Sequence, residues 1–119
     1  MSTELEVKII DIVGSPSCIN PEDGEKVKKV ITTALRADKP VAISLEGIED
    51  FTSRFLNSAI GQLYGEFSEQ TIRAKLRITH ADKDDLALLK RVVERAKEYF
   101  KNPKRFEQAC REVLGEDNE

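Results

Sequence analysis

In "LEVKIIDIV", Leu5, Val7 and Ile9 alternate with Glu6 and Lys8, the period of a strand with one buried face, and Ile10 and Ile12 blur its far end. The pattern predicts a first strand over residues 4–13. The turn formers of "GSPSCIN" break it, although "VGSPSC" leaves room for a short fourth strand. The period then lengthens. In "NPEDGEKVKKVITTALRADKP", Val27, Val30, Ile31, Ala34 and Leu35 recur at helical spacing behind Asn20 as a cap, Pro21 at the first helical position and acids in the first turn. A helix from Pro21 to Arg36 follows.

Val41, Ile43 and Leu45 alternate with smaller or polar residues in "KPVAISLEG", a second strand that Gly47 ends. The stretch "EDFTSRFLNSAIGQLYGEF" then places Phe55, Leu56, Ala59, Ile60, Leu63, Tyr64 and Phe67 on one broad apolar face behind a Thr-Ser pair, predicting one helix. "AKLRITHAD" reads as a third strand with Leu76 and Ile78 inward. After an Asp82 cap region, the spacing of Leu86, Leu89, Val92, Val93, Ala96, Tyr99 and Phe100 predicts a long helix. Asn102 and Pro103 end it before a last helix carrying Phe106, Ala109, Cys110, Val113 and Leu114. The order β-α-β-α-β-α-α, without repeats or linkers, predicts one α/β domain over residues 1–119, a small mixed sheet covered by helices.

Composition narrows the function. Of the 119 residues, 34% are charged, and they nearly cancel to a net −3. No basic field draws nucleic acid. Apolar runs are short and "MSTELEVKII" lacks a basic region followed by a hydrophobic stretch, so neither a signal peptide nor a membrane span is expected, and the cytoplasm is the expected compartment. The two cysteines, Cys18 and Cys110, are far apart and form no metal-binding spacing. Cys110 falls on a helical stripe and reads as a core thiol. Cys18 reads as a loop residue.

Chemistry is sparse. There is no glycine-rich phosphate loop and no nucleophile elbow. The one histidine, His80, stands at a strand end beside Asp82 and Asp85, where a general base is conceivable but no nucleophile accompanies it. The acids Glu46, Glu49 and Asp50, and Asp82, Asp84 and Asp85, read as helix-start residues rather than magnesium ligands. Lys101, Lys104 and Arg105 read as a solvated face. No catalytic residue, metal or cofactor is expected.

The Thr-Ser pair differs in kind. A hydroxyl at an N-cap accepts a hydrogen bond from a free backbone N–H and stabilises the helix by about 1 kcal/mol, and the spacing puts Ser53 at that cap. The series "VAISLEGIEDFTSRFLNSAIGQLY" also resembles the STAS domain, the fold of anti-sigma factor antagonists, whose strand and loop end in an Asp-Ser step at a helix start. It looks most like the STAS-like family of unknown function, on Thr52, Ser53, Phe55 and Gly61. The resemblance implies a non-enzymatic domain that binds a protein, a GHKL-type ATPase or serine kinase. It places Ser53 at the phosphoacceptor position and Thr52 where an Asp usually stands, so both hydroxyls are candidates. Glu49, Asp50, Phe51, Arg54 and Asn57 are the expected contact residues, with Arg54 a counter-charge for a phosphate. Two alternatives remain: a constitutive adaptor or assembly subunit without phosphorylation, and a small hydrolase or nucleotide-binding protein using His80.

Overall fold

In the computed structural model, which describes residues 4–101, the alternation of "LEVK" becomes strand β1 (Leu5–Lys8), but the next five residues are helical. Helix α1 (Ile9–Val13) replaces the expected second half of the strand. The reason lies in the blurred end: Ile9, Ile12 and Val13, three and four positions apart, share one helical side, with Ile9 buried and the other two packed against the core. Gly14, at φ 80°, closes α1 by donating its N–H to the Ile10 carbonyl at 2.8 Å.

Strand β2 (Ser17–Cys18) is the short fourth strand for which "VGSPSC" left room. It makes Cys18 a core residue rather than a loop thiol, with no exposed surface, and burial, followed by the carboxylates of Asp23 and Asp50, pushes its pKa up to about 11. Helix α2 (Pro21–Arg36) has the bounds its periodicity predicts. Asn20 occupies its N-cap position without a side-chain cap bond, and its carbonyl accepts from the Asp23 and Gly24 amides.

Strand β3 (Val41–Ser44) is central, and all four of its residues are buried. The sheet order is β1-β3-β5, with β5 at Leu76–Thr79, and both pairings are parallel; β2 pairs in parallel with β4 (Asp50–Phe51). The expected mixed sheet is therefore parallel throughout among the described residues. Leu5, Val41 and Leu76 stand in register, as do Glu6, Ala42 and Arg77. Arg77 donates two hydrogen bonds to the Glu4 carboxylate, at 2.7 and 3.0 Å, so this pair links the two edge strands across β3.

The helix expected over the Thr-Ser stretch is broken in two. Helix α3 (Ser53–Ala59) gives way at Ile60 to a 3-10 segment, Gly61–Gly65. Both glycines lie under α5 (Lys83–Lys101): a Cβ on Gly65 would meet the Phe100 ring at 2.5 Å, and one on Gly61 would lie 3.4 Å from Ala96. A short helix α4 (Glu69–Lys75), which periodicity did not predict, then leads into β5. Its cap is Ser68, whose hydroxyl accepts the Thr71 N–H at 3.1 Å. One core joins Val27 and Ile31 of α2, Val41 and Ile43 of β3, Phe55 and Leu56 of α3, Leu63, and Val92 of α5. The last predicted helix, with Cys110, and the basic residues Lys104 and Arg105 before it lie outside the described residues.

Candidate functional site

The site begins where β3 leaves the sheet. Gly47, at φ 85°, turns the chain, and the Glu49 amide donates to the Pro16 carbonyl at 2.9 Å, aligning β4 beside β2. The Ser17 hydroxyl donates to Asp50 Oδ1 at 2.7 Å, and the Thr52 N–H donates to the Cys18 carbonyl at 3.2 Å. The segment before α3 is thus fixed along its length. Phe51 is half-buried and packs against the core, which leaves only part of its ring for a partner.

Thr52, not Ser53, is the N-cap. Its Oγ1 accepts the Phe55 N–H at 3.1 Å and donates to the Ile19 carbonyl at 3.0 Å, using the hydroxyl in both senses. Ser53 is the first residue of α3, is exposed, and makes no side-chain hydrogen bond among the described residues. The two hydroxyls expected to share a role are therefore divided: one holds the helix, and one faces solvent.

Helix α3 is seated by α2 on one side. A Cβ on Gly24 would come within 2.6 Å of the Phe55 carbonyl oxygen and 2.7 Å of Ser58 Cβ, so the helices touch through glycine, and the Ser58 hydroxyl donates to the Pro21 carbonyl at 2.7 Å. On the other side lies α5. Between α3 and α5 opens a cleft of about 340 Å³ lined by Ser53, Arg54, Asn57, Leu88, Arg91, Val92 and Arg95. Of the expected contact residues, Arg54 and Asn57 share this cleft with the phosphoacceptor candidate Ser53, while Glu49 and Asp50 are exposed outside it.

Arg91 and Arg95 escaped sequence reasoning because they stand on the polar side of a helix far along the chain. The one available signal was their i,i+4 spacing, a like-charge pair that costs a helix about 0.2–0.5 kcal/mol unless an anion offsets it.

Four of the six acids considered for magnesium are engaged elsewhere. Glu46 pairs with Lys8 at 3.2 Å, Asp50 accepts from Ser17, and Asp82 accepts the Asp85 N–H at 2.8 Å while Asp85 accepts the Asp82 N–H at 3.3 Å, a reciprocal cap of α5. Among the described residues no cluster of three or more His, Cys, Asp or Glu is placed to hold a metal.

His80 does have a hydroxyl neighbour, contrary to the sequence-based expectation. At φ 57° it turns off the end of β5 and brings Nδ1 within 3.0 Å of Ser44 Oγ and 3.3 Å of Thr79 Oγ1. Ser44 Oγ also accepts the Glu46 N–H at 3.1 Å and is only 8% exposed. Lys8, Asp11 and Glu46 line the same cavity of about 300 Å³ at the C-terminal ends of the strands.

A parallel sheet with helices gathered on the Val41–Ile43 face, and a Thr-Ser step where β4 runs into α3, defines a small α/β domain that presents one helix start to solvent. The model of the STAS-like domain of unknown function (DUF4325) matches residues 23–86, and the chain belongs to that family. The match runs from α2 to the first turn of α5 and includes Thr52 and Ser53, whereas Arg91 and Arg95 lie beyond it. No curated protein and no solved structure matches the chain. No helix among the described residues is long and apolar enough to cross a membrane.

Proposed function

We propose that this domain is a non-enzymatic regulator that docks on a protein partner through the surface from Glu49 to Asn57 and is switched by phosphorylation of Ser53. The observation that carries the reading is the division of labour at the start of α3. Thr52 spends its hydroxyl on the cap, so Ser53 is the hydroxyl that can be changed without unmaking the helix. The partner is a GHKL-type ATPase or serine kinase in the cytoplasm, by analogy with anti-sigma factor antagonists; neither nucleic acid nor membrane takes part. In the modifying step Ser53 Oγ attacks the γ-phosphorus of the kinase's nucleoside triphosphate. The Oγ–P bond forms, the bond from phosphorus to the β–γ bridging oxygen breaks, the diphosphate leaves, and the hydroxyl proton passes to a base of the kinase. The phosphate brings about −1.5 to −2 charges to the contact surface and weakens docking.

The test pairs two variants. Ser53→Asp keeps the fold, because acids are favourable in a first helical turn, and weakens binding to the co-purifying partner about tenfold. Ser53→Ala keeps both fold and binding. Equal affinity of wild type and Ser53→Asp sinks the switch and leaves the constitutive adaptor.

The contact of Ser44 Oγ with His80 Nδ1 favours a second reading, a hydrolase or nucleotide-binding protein with His80 as base. Against it, the Ser44 hydroxyl is nearly covered and already accepts a backbone N–H. Turnover of a nucleotide or ester that disappears in His80→Ala establishes the enzyme; its absence in wild type removes it.

A further inference from the structure

Eight of the sixteen Lys and Arg side chains among the described residues pair with an acid. Lys28 and Arg36 hold Glu66, Arg73 and Lys97 hold Glu69, Lys75 pairs with Asp38, and Arg77 pairs with Glu4. The cleft between α3 and α5 gathers three of the other eight. Arg54, Arg91 and Arg95 converge on it, no acidic residue lines it, and none of the three arginines forms an ion pair or hydrogen bond among the described residues. In a chain of net charge −3, three uncompensated guanidiniums are gathered at one opening. Leu88 and Val92 give the opening an apolar lining, so a charge entering it meets less water than on the open surface. Ser53 and Asn57 complete the wall.

We propose that the cleft is an internal receptor for phosphoserine 53: once modified, the side chain turns into it and is held by Arg91 and Arg95, with Arg54 at its rim. A guanidinium presents a planar fork of donors that matches a phosphate's oxygens two at a time. Three arginines and a phosphate of about −1.5 to −2 charge lower the cleft from three positive charges to about one. Modification then weakens an exposed cationic feature of the contact surface and ties α3 to α5, so the charge it adds there is held in place. The like charges of Arg91 and Arg95, four residues apart, acquire a shared counter-ion. This inference rests on Ser53 being the residue modified.

The experiment installs phosphoserine at position 53 of the full chain by genetic encoding, so no kinase is needed, and follows its phosphorus resonance through a pH titration. In wild type the second phosphate pKa is expected to lie about half a unit or more below the ordinary value of about 6. In the double variant Arg91→Gln, Arg95→Gln it returns to that value. In a control that also removes two charges but outside the cleft, Lys39→Gln with Arg73→Gln, it stays depressed. All three positions in the wall are exposed, so the variants are expected to fold; should the double variant not fold, Arg54→Gln, expected to raise the value part of the way, replaces it. Thermal melting supplies a second reading, in which phosphoserine 53 raises Tm in wild type and the rise disappears in the cleft variant. Ordinary titration in wild type, or equal depression in cleft and control variants, overturns the receptor. That failure leaves the switch standing, whereas a host-purified protein without phosphate on Ser53 defeats the switch and leaves the receptor's chemistry intact.

Discussion

Replacing Thr52 by Val removes one hydroxyl and keeps the branched shape, at a residue whose φ of −108° and ψ of 161° suit any β-branched side chain. What is lost is the bond from the Phe55 N–H and the bond to the Ile19 carbonyl. Ile19 is exposed, so water takes over its carbonyl at little cost. The Phe55 N–H belongs to a fully packed residue in the first turn of α3 and is not as easily resolvated. The cost is therefore that of an N-cap, about 1 kcal/mol and up to about 2. At about 2.1 cal/mol/K per residue, the unfolding entropy of a chain this long is about 250 cal/mol/K, and the loss appears as a fall of about 4–8 °C in Tm. Ser53→Ala removes a hydroxyl from an exposed first helical position and is expected to stay within about 0.5 kcal/mol of wild type. Far-UV circular dichroism during heating and urea titration measures both. If Ser53→Ala costs as much as Thr52→Val, the division of roles between the two hydroxyls is wrong.

Gly24→Ala is expected to destabilise by about 1–3 kcal/mol in urea unfolding, although alanine in a helix interior ordinarily gains about 1 kcal/mol over glycine; the new methyl meets the Phe55 carbonyl and Ser58 Cβ, and neither is the end of a flexible side chain. A stabilised variant would mean that α2 and α3 do not touch there. The Glu66 carboxyl is held below its ordinary 4.5, first by the hydrogen bond from Lys28 and then by the charges of Lys28 and Arg36. A depressed folded-state pKa stabilises above the unfolded value and is lost as pH falls through the folded one. Wild-type Tm is therefore expected to fall with acidification below 4.5, less steeply in Glu66→Gln, and high salt narrows the difference because the pair is exposed. Identical acid limbs would refute the role of the pair.

What the sequence disclosed follows from how each element announces itself. Helix α2 has a proline start, acids in the first turn and five apolar positions on one stripe, and its bounds are as expected. Helix α4 contains a single buried residue, Ile72, so it has no stripe to read. The break after Ala59 was hidden because apolar residues continue through Leu63 and Tyr64, and the close approach of Gly65 to Phe100 of α5 is a tertiary contact that no local pattern shows. In α1, a run of isoleucines fits either period, and packing decided. The Thr-Ser step was visible as a pair, but which hydroxyl caps the helix depends on one residue of register. Sequence alone leaves such boundaries open. Arg91 and Arg95 are brought to Ser53 only by the docking of α5, and no local pattern encodes that.

The parallel sheet also constrains how the chain reaches its structure. Leu5 pairs with Val41 and Val41 with Leu76, so each pairing closes a loop of about 35 residues, and no hairpin is available to start the sheet cheaply. Neither edge strand can be in place before β3, which both require. The slow step is therefore expected to be the capture of β3 by α2, joined to it by the few residues from Ala37 to Pro40. Substitutions at Ile31 or Ile43 would slow refolding, while those at Leu5 or Leu76 would mainly hasten unfolding. The edge strands arrive late, and the Glu4–Arg77 pair that joins them across β3 has both its partners in place only when the sheet is complete.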